Sequence, residues 1–290
     1  MSSLKCNCKS LKRLLLYDLA VATHIPGTFF LQNLVERRSL LIQLVRRDFE
    51  QRFIGSAIGW IWGLIHPLVL LLSWTFVFQF CLHQSVPPGE ETTNYPLFLF
   101  AGMLPWLLFS ETVQRSASSL LEHANLITKT VFPSEIIPVS VFLSTLIGHL
   151  MGIALILAAS GIVLNQVNFF IFLLPVYILL IGMFAVGIGW IVASLHVFLR
   201  DTAQVVNVVL LLWFWMTPIF ISPDLFPARA RFLLVANPFY YVVRAYRRLL
   251  LGSTMPDISD LGILVAYAAG AFIVGGLFFR YMKRGFADVL

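Results

Sequence analysis

Arg46, Arg47 and Arg52 stand in RRDFEQRFIGSAIGWIWGLIHPL, residues 46–68, where a charged stretch runs through closely spaced glycines into tryptophans and a long apolar run. Guanidinium groups bind phosphate oxygens bidentately, so arginines at such a junction offer phosphate recognition at the depth of lipid headgroups. The plainer account is that they set membrane orientation and touch ordinary anionic lipid. The two accounts differ under exchange to lysine, which keeps the charge but loses the planar fork. Aromatic rings are the other chemistry present in quantity. Trp60, Trp74 and Phe78 fall roughly on one face of the first apolar run, and Trp213, Trp215 and Phe220 crowd a later one. They either form the belt that anchors a protein at the bilayer interface or present flat faces on which sugar C–H groups stack without demanding one hydroxyl pattern.

Other chemistries lack their parts. A nucleotide-hydrolysing chain needs a glycine-rich loop ending in Gly-Lys-Ser/Thr, and the dipeptide Gly-Lys occurs nowhere in this sequence. There is no His-Glu-x-x-His, and no Gly-x-Ser-x-Gly to present a nucleophile. Glu111, His149 and His196 are the strongest ionisable candidates inside apolar runs. Glu111 stands four residues before Arg115, a spacing at which helical side chains pair. His149, between Gly148 and Gly152, reads as an interhelical hydrogen-bonding residue. A proton relay built on three such groups would be thin. Cys6, Cys8 and Cys81 lack the spacing of a zinc site, so no metal or cofactor is expected in the chain.

The elements that must position these residues are membrane spans. Of the 290 residues, 59% are hydrophobic and 12% charged, far below the roughly 25% charged residues of a soluble domain. A hydrocarbon core of ~30 Å needs about 20 apolar residues per helix, and six windows qualify: 60–82, 95–114, 136–164, 169–199, 203–222 and 261–279. The expected fold is therefore an all-α integral membrane protein. The net charge of +6 is unevenly placed, since nine of the twenty Lys and Arg precede residue 59. Cytoplasmic flanks attract such residues, so the amino terminus is expected inside, and six spans return the carboxyl terminus to the same side. Residues 1–31 lack the apolar stretch and cleavage site of a signal peptide. One segment resists this orientation: residues 223–260 carry Arg229, Arg231, Arg244, Arg247 and Arg248 against Asp224, Asp257 and Asp260.

Smaller features lie before, within and between the spans. From Ser39, a plausible N-cap, Leu40, Leu41, Leu44, Val45 and Phe49 share a face opposite Gln43, Arg46, Arg47 and Glu50. That pattern suits a helix of about residues 39–53 lying in the membrane interface, with Asp48 and Arg52 spaced to pair with each other. Gly55, Ser56, Gly59 and Gly63 make a small-residue ladder that would let a neighbouring helix approach closely. Pro67 is expected to kink the first span, with His66 a polar neighbour of the kink. Residues 116–138 form an inside loop with a short helix of its own at about 120–133, and Arg200-Asp201 is a tight turn. Residues 228–251 read as two amphipathic pieces, about 228–236 and 239–251, parted by Asn237-Pro238. Neither is long enough to span, so a re-entrant hairpin fits if its broken backbone is buried.

RRDFEQRFIGSAIGWIWGLIHPL, FAGMLPWLLFSETV, ANLITKTVFP, FLRD, TPIF and ANPFYYVVRAYR, in this order and spacing, resemble the polysaccharide-export permeases of type-2 ABC transporters over about residues 36–284. The resemblance implies a multi-pass permease domain, residues 36–290, with six spans, an interface helix, a coupling helix and re-entrant outer gate helices. Residues 1–35 depart from the family as an amino-terminal cytoplasmic extension. It further implies partners: a second copy of the chain, two separate ATPase subunits that bind ATP and Mg, membrane lipids, and a lipid-linked glycan of the O-antigen, capsule or teichoic-acid kind. No nucleic acid is implied. The cytoplasmic (inner) membrane is the implied location. Glu122, Asn125, Lys129 and Phe132, with Arg200 and Asp201, fall at the implied ATPase-coupling face. Arg229, Arg231, Asn237, Pro238, Arg244 and Arg247 fall at the implied outer gate, Arg46, Arg47 and Arg52 beside the lipid-linked phosphates, and the six aromatic residues along the glycan path. Two other classes compete. An ion-coupled carrier of a small solute is weakened by the lack of buried charge partners and of paired halves, and an intramembrane glycan-transferring enzyme by the lack of a convergent acid, base or metal set. An ABC permease for lipids or drugs is the nearest alternative.

Overall fold

The computed structural model describes residues 37–52, 55–87, 89–129, 132–164, 169–220, 229, 231–252 and 254–289. The expected extension at 1–35, the last two residues of the run expected at 203–222, Ala228 and Ala230 of the gate helices, Phe53 of the interface helix and the side chain of Lys129 lie outside the described residues. The chain divides into two compact units, Met1–Leu44 and Val45–Leu290. Residues 37–44 of the first are described and belong to helix α1, Arg38–Gln51.

Among the described residues every regular element is helical. After α1 come α2 (Trp62–Thr75), entered through a tight turn at Gly59–Ile61 and continued by a wider-wound end at Phe76–Cys81. Then follow α3 (Tyr95–Glu122), the short α4 (Ala124–Lys129), α5 (Ile136–Leu164) and α6 (Leu174–Phe198). The carboxyl-terminal part holds α7 (Thr202–Trp215), α8 (Arg231–Val235), α9 (Pro238–Leu251), α10 (Ile258–Met282) and α11 (Phe286–Val289). Five of these helical runs are long and apolar enough to cross a membrane: Gly59–Cys81, Tyr95–Glu122, Ile136–Leu164, Phe169–Phe198 and Ile258–Gly285. The run expected at 203–222 forms a helix of only 14 residues, about 21 Å at 1.5 Å per residue.

α3 is the centre of the packing. It begins where Asn94 Oδ1 accepts the Leu97 N–H at 3.2 Å, a side-chain cap on otherwise unpaired backbone, with Pro96 in the first turn. Phe98, Leu99, Ala101, Phe109 and Leu120 are all essentially inaccessible, because α5, α6, α7 and α9 all pack on this helix. α10 joins through α6, where glycines meet. A Cβ on Gly187 would strike the backbone of Ala271, and one on Gly275 would strike the backbone of Gly187. Backbones approach closely in a membrane where side chains are smallest.

Contacts among helix ends sort the connections. Lys283 Nζ lies 2.7 Å from Glu135 Oε1, and Phe286 packs on Phe198, which gathers the start of α5 and the ends of α6 and α10. At the other end, Tyr95 O–H donates to the Phe220 carbonyl at 3.3 Å, and Thr254 Oγ1 donates to Glu91 at 2.6 Å. α2 runs through Pro67 as one helix. Two glycines of the small-residue ladder do not pack against another helix of this chain. Gly55 and Gly59 take positive φ of 79° and 61°, and a Cβ at either would meet nothing within 4 Å. These glycines turn the chain between α1 and the first span, in a conformation open to glycine without steric cost.

Candidate functional site

The junction of α1 with the first span carries a network of four charges. Arg52 donates through Nη1 to Glu111 Oε1 at 2.6 Å and through Nη2 to Thr145 Oγ1 at 2.8 Å. Arg115 Nη2 donates to Asp48 Oδ1 at 2.6 Å, while Arg52 and Asp48 stand 3.7 Å apart. Helical spacing predicted Asp48 with Arg52 and Glu111 with Arg115. The first of these pairs forms, and two closer pairs form between elements, Arg52 with Glu111 and Asp48 with Arg115, in place of the expected Glu111–Arg115 pair. Asp48 is 8% exposed, and a carboxylate that deep needs a bonded cation. Arg46 pairs with Glu50 at 2.7 Å on the exposed side. Arg47 is exposed and makes no ion pair among the described residues.

The aromatic candidates divide into two clusters. Trp74, Phe78, Trp215 and Phe220 lie together, with Phe220 stacked on Trp74 and Phe78 at centroid distances of 4.4 and 4.6 Å. Trp213 belongs elsewhere, edge-on to Trp106, Phe109 and Phe239. Its Nε1 donates to Asn237 Oδ1 at 3.0 Å. Trp60 is 57% exposed and makes no ring contact with the others.

Asn237 is the joint of the gate segment. Its Oδ1 also accepts the Phe239 N–H at 3.0 Å, capping α9, and its Nδ2 donates to Thr217 Oγ1 at 3.0 Å. Pro238 follows in the first turn of α9, the one helical position where a missing N–H costs nothing. Three of the five arginines that resisted the orientation rule are paired or buried. Arg244 pairs with Asp257 and, at 2.5 Å, with Asp260; Arg248 pairs with Asp257 at 2.8 Å. The Arg248 hydrogen bond, with the charges of Arg248 and Arg244, holds the Asp257 carboxyl below its ordinary value. Arg247, only 4% exposed, lies over the Phe98 ring at 3.5 Å and donates to the Ile219 carbonyl at 2.7 Å. Arg229 and Arg231 are exposed. His149 bonds Tyr246 of α9 across 3.1 Å, the interhelical role its glycine neighbours suggested.

At the end of α3 the chain breaks at His123 and α4 follows. Glu122 and Asn125 are exposed here, Glu122 accepting from Ser118 Oγ at 2.5 Å, and Phe132 is half-buried. Arg200 and Asp201 form an exposed turn before α7. Sequence reasoning missed the two ion pairs between elements and the Lys283–Glu135 clasp; their partners are 67, 59 and 148 residues apart. No metal-binding group of three or more His, Cys, Asp or Glu occurs among the described residues.

Residues 39–251 match the family model described as ABC-2 type transporter. The chain is 29% identical over 259 residues to the O-antigen export system permease protein RfbA of Myxococcus xanthus, covering 89% of this chain and 97% of that one. A relative of the same description from Klebsiella pneumoniae is 28% identical, over 87% and 95% of the two chains. The polysialic acid transport protein KpsM of Escherichia coli is 25% identical, over 78% and 85%.

Proposed function

Since the chain belongs to the ABC-2 type transporter family, we propose that it is the permease subunit of an exporter that moves lipid-linked polysaccharide across the cytoplasmic membrane. The observation that carries this reading is a likeness running through 97% of an O-antigen export permease. The chain supplies the path, and ATP with Mg is bound by separate ATPase subunits. They dock at α4 through Glu122, Asn125, Lys129 and Phe132, with the Arg200–Asp201 turn beside them. α1 lies in the interface, and Arg47, with Arg46, meets the phosphate of the lipid carrier. α7 and the segment after it complete a sixth span, so both termini are cytoplasmic. α8 and α9 form the outer gate, re-entrant because the Asn237 joint is buried and bonded throughout. The cluster of Trp74, Phe78, Trp215 and Phe220 borders the glycan path.

The test is made in the native cell. Deletion of the gene is expected to remove the polysaccharide from the surface while its lipid-linked precursor accumulates inside, and a plasmid copy restores it. A copy with Glu122→Lys and Lys129→Glu inserts normally but fails to retain the ATPase on copurification. Unchanged surface polysaccharide in the deletion strain overturns the reading.

A further inference from the structure

We propose that the cavity between α2, α3 and α5 is a binding site for one uncharged, hydroxyl-rich sugar unit, distinct from the arginines that meet phosphate; the proposal rests on the glycan-export reading above. The cavity measures about 360 Å³, within the ~300–1,000 Å³ typical of small-molecule sites. Arg52, Trp62, His66, Glu111, Gln114 and Gly148 are among its lining residues.

Its charge decides the ligand class. Arg52 lies 2.6 Å from Glu111, and Arg115 lies 2.6 Å from Asp48, so the two guanidiniums at this junction are balanced by two carboxylates. A phosphate drawn to Arg52 would have to displace Glu111 and leave that carboxylate unpaired in a half-buried place, which is costly. A neutral polyol meets no such barrier. It finds hydrogen-bonding groups that the fold has not used. Glu111 is paired through Oε1 alone, and its side chain is 44% exposed. The Gln114 amide and the His66 ring make no hydrogen bond among the described residues. A carboxylate oxygen accepts, while an amide and a neutral imidazole each donate and accept, the set that adjacent sugar hydroxyls require. Deeper in the wall the polar groups are spent: Thr145 bonds Arg52 and the Val141 carbonyl, and His149 bonds Tyr246. Trp62, 48% exposed, supplies a flat face for the C–H side of a pyranose. A Cβ on Gly148 would meet nothing within 4 Å, so the space is open on the α5 side too.

The test uses the full-length chain in lipid nanodiscs and saturation-transfer NMR with the methyl glycosides of glucose, galactose and mannose. At least one is expected to receive saturation. The signal is expected to fall at least about fivefold in Gln114→Leu, the worth of one net hydrogen bond, and to vanish in Gly148→Leu, which fills the space. It stays unchanged in Arg47→Ala and in excess inorganic phosphate. Gln114 is exposed, so its variant carries the test even where Gly148→Leu does not fold. No saturation of any glycoside, a signal that survives Gln114→Leu, or displacement by phosphate overturns the site. Deletion of the gene separates the two readings. Surface polysaccharide lost on deletion with no glycoside signal overturns the sugar site and leaves the export reading standing. Surface polysaccharide unchanged on deletion overturns the export reading, and the sugar site with it.

Discussion

Arg247 and Asp257 show two ways of accommodating charge near a membrane. Arg247 is held by the Ile219 carbonyl and the Phe98 ring, a planar arrangement open to a guanidinium and closed to an ammonium. It ties the end of the α7 segment to α3 and α9. Asp257, just before α10, instead clasps Arg248 and Arg244 at the surface. Its folded value is depressed from the ordinary 3.8, first by the Arg248 hydrogen bond. The clasp is therefore intact above the unfolded value and is lost as pH falls through the lower folded one. Limited proteolysis of the 252–257 connection is expected to be slow at pH 6 and to quicken below about pH 4, where carboxylates protonate. Asp257→Asn should be cleaved quickly at both. Equal rates at both pH values in the unaltered chain would show that the clasp does not hold this connection.

At the scale of elements, helix starts and crossings rest on small groups in particular places. Asn94 and Asn237 each cap a helix with a side-chain oxygen, and each is followed within two residues by proline. The α6–α10 crossing rests on Gly187 and Gly275, where any Cβ meets backbone. Backbone, unlike a flexible side-chain end, yields only by moving the whole helix. Gly187→Ala is expected to destabilise the detergent-solubilised protein by roughly 1–3 kcal/mol, the usual cost of overpacking. Gly270→Ala, on the same helix as Gly275 but with nothing within 4 Å of its Cβ, should be neutral or slightly stabilising. A melting temperature lowered equally by both would mean that helix propensity, rather than the crossing, sets the cost.

At the scale of the whole molecule, burial is uneven among the spans. The most apolar stretch of Tyr95–Glu122 is 78% buried, whereas that of Gly59–Cys81 is 6% buried. Leu72, Phe76 and Phe80 on the first span and Leu211 and Leu212 on α7 are all more than half exposed. Lipid or a second copy must cover these surfaces, and we assign them to the second copy. After replacement of Cys6, Cys8 and Cys81 by serine, Leu72→Cys and Leu211→Cys are expected to form disulfide-linked dimers in membranes under mild oxidant. Ile162→Cys, 79% exposed on α5, should not. Monomer bands from both of the first two variants would assign the faces to lipid.

The sequence by itself determined the membrane class, the positions of five spans, the break at Asn237-Pro238 and the family, because apolar run length, proline and capping residues act locally along the chain. It also determined which residue types were available at the junction before the first span. Tertiary structure alone decided how they are used. Asp48 turns to Arg115 and Arg52 to Glu111 because α1 meets α3 there. The glycines at 55 and 59 serve a turn rather than a helix face. Trp213 parts from Trp215 because positions two apart on one helix differ by about 200° and so point to nearly opposite sides, one toward the α3–α9 core and the other toward the cluster around Phe220. Pairings across 59 and 67 residues depend on which helix faces meet in three dimensions, and no local period in a sequence records that.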